Sequence, residues 1–96
     1  MIVTVKKMTY FHNMSISVVR KKLAMRSWRR GTKELDLILG RFSHENIINF
    51  ETSELDLYEQ FLSNDDHLIY NWLFEKEDSP RIFKSLVKQI RKSMDQ

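Results

Sequence analysis

Apolar residues recur at helical spacing in five consecutive segments of this chain, and this periodicity limits its fold more than any other feature. In the segment TKELDLILGRF, one helix face carries the apolar residues Leu35, Ile38, Leu39 and Phe42 at positions i, i+3, i+4 and i+7. Only two glycines and one proline occur in the 96 residues, which suit a single domain. We therefore predict an all-α fold, a compact five-helix bundle formed by residues 15–96.

Capping residues suggest where the first two helices begin and end. Ser15 or Ser17 is the expected cap of the first helix, which should run to about Arg29. Its core face should carry Ile16, Val19 and Leu23, followed by Ala24 or Ser27. Gly31 then breaks the pattern, and the second helix fades near Ile47. The short connection makes the two helices neighbours in the bundle.

The remaining three helices have their own start signals. Ser53, with an aspartate three positions later, resembles a capping box for the third helix, and Asn64 or Asp65 caps the fourth. Ser79 caps the fifth helix, with Pro80 at its first helical position. The apolar positions expected to face the core are Leu55, Tyr58, Phe61, Leu62, Ile69, Trp72, Leu73, Phe83, Leu86, Val87, Ile90 and Met94.

The first segment, residues 1–14, differs from the rest. Its IVTV run alternates like a strand, but no second strand pattern follows, so we predict a flexible N-terminal arm. Met14 is an alternative to Met1 as the start of the protein. A transit peptide is the rival interpretation because acids are absent, although more Arg and Ser would be expected. We expect no secretory signal and no membrane span.

Charge is distributed in blocks. Residues 1–33 hold nine Lys and Arg and no acid, residues 34–78 have a net charge of −10, and residues 79–96 have a net charge of +4. Such a chain can partly neutralise itself on folding, so its pI of about 9.3 is weak support for nucleic-acid binding. The absence of cysteine excludes disulfides and thiol catalysis.

No residue pattern predicts catalysis. His12, His44 and His67 lie far apart in the sequence and match no metal or catalytic motif. No Walker loop and no G-x-G-x-x-G sequence is present, so we expect no stably bound nucleotide cofactor. We predict that the chain has no catalytic residues, no metal site and no enzymatic activity of its own.

A nucleic-acid-binding helical module is an alternative. The stretch from Arg20 to Arg30 is basic, and a glycine separates it from a second helix, as in a helix-turn-helix. However, the second helix carries Glu34 and Asp36, which phosphates would repel. A nucleic-acid-binding role would therefore explain the basic stretch but not the acidic residues of the helix that follows it.

The junction between the first two helices is the candidate binding site. If helical spacing extends through it, one face away from the core carries Arg30, Glu34, Leu37 and Arg41. One interpretation is a solvated face with a weak Arg30–Glu34 ion pair. The other is a contact site, because Leu37 is apolar and Gly31 lets a partner backbone approach. Trp28 is a further candidate contact residue.

The sequence RSWRRGTKELDLILGRF resembles the RGxxE region of the SdhE family, the FAD assembly factors of succinate dehydrogenase. The later stretch SELDLYEQFLSNDDHLIYNWL is similar to the acidic and aromatic segment of that family, and the resemblance covers roughly residues 18–90. It places the motif on Arg30, Gly31 and Glu34, with Asp36 extending it. The N-terminal arm has no counterpart in the family.

The resemblance implies a five-helix bundle that acts as an assembly factor, or chaperone. Such proteins bind the flavoprotein subunit of succinate dehydrogenase, and in some bacteria that of fumarate reductase, and promote covalent attachment of FAD. The flavin would be attached to the partner and would not be held stably by this chain. We expect a free monomer that binds neither nucleic acid nor membrane. Its expected location is the cytoplasm of a bacterium, or the mitochondrial matrix if the source is eukaryotic.

Overall fold

A computed structural model describes residues 14–95 and contains five α-helices in that part of the chain. The helices are α1 (Ile16–Ser27), α2 (Lys33–Asn46), α3 (Thr52–Leu62), α4 (Asp66–Leu73) and α5 (Lys84–Met94). Two 3₁₀ turns, Ile47–Asn49 and Arg81–Phe83, follow α2 and precede α5. The radius of gyration of 13.1 Å is close to the value of about 13 Å expected for a compact domain of this size. The predicted all-α, five-helix fold is confirmed.

The first two helices begin at hydroxyl caps. Ser15 caps α1 and accepts the Val18 N–H at 3.3 Å, which decides between the two predicted serines. Thr32 caps α2 in the same way and accepts the Leu35 N–H at 3.1 Å. The first helix ends at Ser27, two residues before the predicted end. The predicted arm falls outside the described residues except for Met14, which packs against the core.

The predicted start of α3 is wrong. Thr52 is its first residue and Glu51, in an extended conformation, is its cap. Glu54 reaches back and accepts the Glu51 N–H at 2.8 Å, because its longer side chain spans the first turn. Ser53 therefore lies inside the helix.

The predicted start of α5 is also wrong. Pro80 is extended, with ψ of 149°, and therefore precedes the helical segment instead of occupying its first position. The Pro80 carbonyl accepts the Phe83 N–H at 2.9 Å, which forms the 3₁₀ turn before α5. This turn directs Phe83 into the core, where its ring centroid lies 5.5 Å from that of Phe61 and 5.8 Å from that of Trp72.

The core follows the predicted stripes except at Ile16, which is exposed at the start of α1, whereas Val19 and Leu23 are buried. All the apolar positions predicted for α3, α4 and the 83–90 segment are buried, and so are Leu35, Leu39 and Phe42 of α2. Ile38 and Met94 are partly buried against the same cluster. The core also contains a polar pair, because the Tyr58 hydroxyl lies 2.6 Å from Ser27 Oγ at the end of α1. Burial raises the pKa of Tyr58 to about 12.

Candidate partner-binding surface

The turn between α1 and α2, residues 29–32, is fixed by side chains from other parts of the chain. Arg30 Nε donates to Asp66 Oδ1 at 3.0 Å, and the terminal guanidinium nitrogen forms an ion pair with the same oxygen at 2.8 Å. The same terminal nitrogen donates to the Leu62 carbonyl at 2.9 Å. The Arg30 side chain is consequently only 9% exposed. It faces the corner between α3 and α4, away from any partner on the outside of α2.

This geometry corrects the predicted helical face. Arg30 precedes the α2 cap Thr32, so helical spacing does not extend to it. Among the described residues its ion pair is with Asp66, and the predicted pair with Glu34 does not form. The RGxxE positions therefore separate into an inward Arg30 and an exposed Glu34.

Two backbone groups of the turn are satisfied by carboxylates. The Arg30 N–H donates to Asp36 Oδ1 at 2.5 Å, so Asp36 stabilises the turn from the first helical turn of α2. The Gly31 N–H donates to Asp66 Oδ2. A Cβ atom added to Gly31 would lie 2.6 Å from that same oxygen. The space that a side chain would need at position 31 is therefore occupied by Asp66.

The outside of α2 carries the other predicted residues. Leu37 is 50% exposed, and Glu34 and Arg41 are exposed on the same side of the helix. Leu37 is thus one of the large apolar side chains that the described residues leave exposed. This part of the predicted face is confirmed by the structure, whereas its role in binding stays a prediction.

Trp28 borders this face through a contact with Gly40 that was not predicted from the sequence. It is the C-cap of α1 and is 45% exposed. Its indole ring lies directly on Gly40 of α2, so that a Cβ atom on Gly40 would overlap the ring. A glycine inside a strongly periodic helix was the available signal, because such a glycine usually marks close packing.

We call Trp28, Glu34, Leu37 and Arg41 the α2 surface. It combines one aromatic and one aliphatic side chain, both about half exposed, with one acid and one base. Such a mixture is typical of the contact patches by which proteins bind other proteins. The surface lies beside the turn at residues 29–32, which the Arg30 and Asp66 contacts hold in place.

A cleft lies along α5 and involves none of the predicted site residues. This cleft has a volume of about 1200 Å³ and is lined by charged residues of both signs, including Glu75, Glu77, Lys84, Lys88 and Arg91. An Arg91–Glu75 ion pair forms there. Within residues 14–95 no three His, Asp or Glu side chains come close enough to hold a metal ion.

Comparison with known proteins identifies the family. The family of the flavinator of succinate dehydrogenase, Sdh5, matches residues 21–94, which include the turn and the α2 surface. This chain belongs to that family. The family resemblance that was predicted from the RGxxE region is thus confirmed.

The relatives come from both mitochondria and bacteria. "Succinate dehydrogenase assembly factor 2, mitochondrial" of Dictyostelium discoideum is 37% identical over 75 residues, which cover 78% of this chain and 53% of that protein. "FAD assembly factor SdhE" of Coxiella burnetii is 35% identical over 66 residues, covering 66% of this chain and 78% of the relative. The Francisella tularensis protein of the same name is 30% identical over 66 residues, or 69% and 70% of the two chains.

The match to the mitochondrial relatives is partial. This chain spans about half the length of the mitochondrial relatives it matches. No solved structure matches the chain. In the described residues, no helix has the length and apolar character needed to cross a membrane.

Proposed function

We propose that this chain is an assembly factor that binds the flavoprotein subunit of succinate dehydrogenase and promotes covalent attachment of FAD to that subunit. Family membership supports the proposal, and so do the names of the bacterial and mitochondrial relatives. The observation that assigns this function to particular residues is the α2 surface. There Trp28 and Leu37 are about half exposed beside a turn that is held by hydrogen bonds.

The proposed mechanism is a shift in the conformations of the partner. Trp28 and Leu37 would enter apolar recesses of the flavoprotein subunit, while Glu34 and Arg41 would form hydrogen bonds at the edge. A protein that binds one conformation of its partner more tightly increases the population of that conformation. The chain would thereby favour the arrangement in which the partner couples to its own FAD, without holding the flavin stably or acting as an enzyme.

Several finer features belong to this proposal. The flavoprotein subunit of fumarate reductase is a second client for a bacterial source, and the free chain is a monomer. The expected location is the bacterial cytoplasm, or the mitochondrial matrix for a eukaryotic source. A nucleic-acid-binding role lacks comparable support, because Glu34 is exposed on the α2 surface and the family description concerns succinate dehydrogenase.

The test is covalent flavin on the flavoprotein subunit. The subunit is produced in a deletion strain with and without this protein, denatured, and examined by in-gel flavin fluorescence. We expect flavin to remain attached mainly in the presence of the protein. Equal covalent flavin in the two samples would contradict the proposed function.

A further inference from the structure

Asp66 is the first residue of α4, and the turn between α1 and α2 uses both of its carboxylate oxygens. Oδ1 accepts a hydrogen bond from Arg30 Nε and forms an ion pair with its terminal guanidinium nitrogen, and Oδ2 accepts the Gly31 N–H. These contacts join parts of the chain 35 and 36 residues apart in sequence. Hydrogen bonds to a charged group are stronger than neutral ones, so Asp66 contributes directly to the conformation of the turn.

The burial of Arg30 determines which way this residue acts. Its side chain is 9% exposed, and its donors are directed at Asp66 and at the Leu62 carbonyl. A partner that used this guanidinium would have to break those contacts first. Arg30 is therefore better placed to hold the turn than to touch a partner.

We propose that Asp66 is a positioning residue for the partner-binding surface, and that Arg30 acts through Asp66 instead of by contact with the partner. This inference rests on the proposed function. Asp66 fixes residues 30 and 31, and with them the end of α1 that carries Trp28 and the start of α2 that carries Glu34. Partner recognition then depends on α4 as well as on the RGxxE motif at residues 30–34.

The same geometry gives Gly31 a specific role. A Cβ atom at position 31 would lie 2.6 Å from Asp66 Oδ2, closer than a carbon and an oxygen can approach without a shift. A side chain there must displace the carboxylate that accepts the Gly31 N–H. Glycine at this position thus lets Asp66 keep its hydrogen bond to the Gly31 N–H in the folded chain, before any partner approaches.

A double-mutant cycle tests the proposal on the full chain. The variants Asp66→Ala, Arg30→Gln and the combination of both are compared for affinity to the purified flavoprotein subunit, at a temperature where circular dichroism shows each to be folded. We expect each single change to weaken binding about tenfold, because a charge-assisted contact is lost. The combination should weaken binding no more than Asp66→Ala alone, since Asp66→Ala already removes the Arg30–Asp66 interaction.

Glu59→Ala is the matched control. Glu59 pairs with Arg26 at 3.5 Å across α1 and α3, so its removal also breaks an ion pair between helices, but not one that holds the turn. We expect less than about a twofold change in affinity for this variant. Hydrogen exchange of the Gly31 amide in the free protein gives an independent readout, and it should accelerate in Asp66→Ala but not in Glu59→Ala.

The outcomes separate this inference from the proposed function. Unchanged affinity in a folded Asp66→Ala protein would overturn the positioning role, and so would a roughly hundredfold loss in the combined variant, which would mean that Arg30 contacts the partner independently. If Asp66→Ala does not fold, Asp66→Asn takes its place and retains the side-chain shape. Absence of binding by the unsubstituted protein would refute the proposed function itself.

Discussion

Gly31 and Gly40 both leave room for another side chain, yet they do so in different ways. Neither has a positive φ, so neither is needed for a left-handed backbone conformation. At Gly31 the space is taken by the carboxylate of Asp66, and at Gly40 by the indole of Trp28. One glycine thus supports a polar contact that fixes a turn, whereas the other supports an aromatic ring that stays half exposed.

The difference indicates separate roles for the two regions. The polar contact at Gly31 uses donors and acceptors within the chain, so that this region positions the surface. The Trp28 ring packs against Gly40, while 45% of this residue stays exposed. Among the described residues, the one with a positive φ is Glu75, which follows α4. The left-handed backbone conformation is thus adopted by a glutamate and by neither glycine.

Gly31→Arg should give the largest effect. We expect its helical circular dichroism to persist, while affinity for the flavoprotein subunit falls more than about a hundredfold, because the side chain displaces Asp66 and obstructs the exposed turn. Gly31→Ala should lower the affinity less, since its single methyl group disturbs Asp66 without obstructing the exposed turn. Loss of the helical signal in Gly31→Arg would contradict this account and make Gly31 essential to the fold.

Alkaline pH should weaken the end of α1, on which Trp28 depends. The pKa of Tyr58 is raised by burial from 10.0 to about 12, so between these values the unfolded chain loses a proton that the folded chain keeps. Stability is therefore unaffected by this group below about pH 10 and falls by about 1.4 kcal/mol per pH unit up to about pH 12. Urea unfolding at several pH values checks this slope.

Tyr58→Phe is the control for the alkaline effect. It removes the titrating hydroxyl that contacts Ser27 but keeps the buried ring. The variant should be less stable at neutral pH by about 1–2 kcal/mol and should lose stability less steeply at alkaline pH. Equal slopes in the two proteins would mean that other groups, and not Tyr58, determine the alkaline loss.

Gly40→Ala tests the aromatic half of the comparison. The added methyl overlaps the Trp28 ring, so we expect a loss of about 1–3 kcal/mol in the free energy of unfolding, measured with urea. In a Trp28→Ala background the same change should instead stabilise α2 by about 0.5–1 kcal/mol, because alanine is the better helix former. The same sign in both backgrounds would refute the packing role of Gly40.

Glu75→Gly should have the smallest effect, and it has the opposite sign. Glu75 has a φ of 59° just after α4, where the Lys76 N–H donates to the Asn71 carbonyl at 2.8 Å. This is the helix-ending position that favours glycine. The substitution should raise stability by up to about 1 kcal/mol, less the contribution of the exposed Glu75–Arg91 ion pair. A destabilised Glu75→Gly protein in a thermal melt would show that the ion pair outweighs backbone strain.

Periodicity predicted the parts of this molecule that depend on neighbours within one helix. It placed Leu35, Leu39 and Phe42 in the core and Leu37 outside, since these positions follow from the helical repeat alone. It failed for Arg30, whose direction is set by Asp66 in another helix. It also failed for Gly40, because a contact with Trp28 depends on how two helices pack.

The helix starts show the same limit. Capping rules gave Ser15 or Ser17 as the cap of α1, and the structure has Ser15, next to the helix that it caps. They failed at Pro80, because a 3₁₀ turn was needed to bring Phe83 into the aromatic core. Local chemistry thus predicted local structure, and tertiary packing decided the rest.

The central claim is that the exposed α2 surface binds the flavoprotein subunit. Its most direct test compares Leu37→Asp with Ile82→Asp, because the two side chains have nearly equal exposures of 50% and 52% and Ile82 lies outside this surface. Affinity for the purified flavoprotein subunit is measured for both folded proteins. The account predicts a loss of about tenfold or more for Leu37→Asp and little change for Ile82→Asp. Equal affinities in the two variants would contradict it.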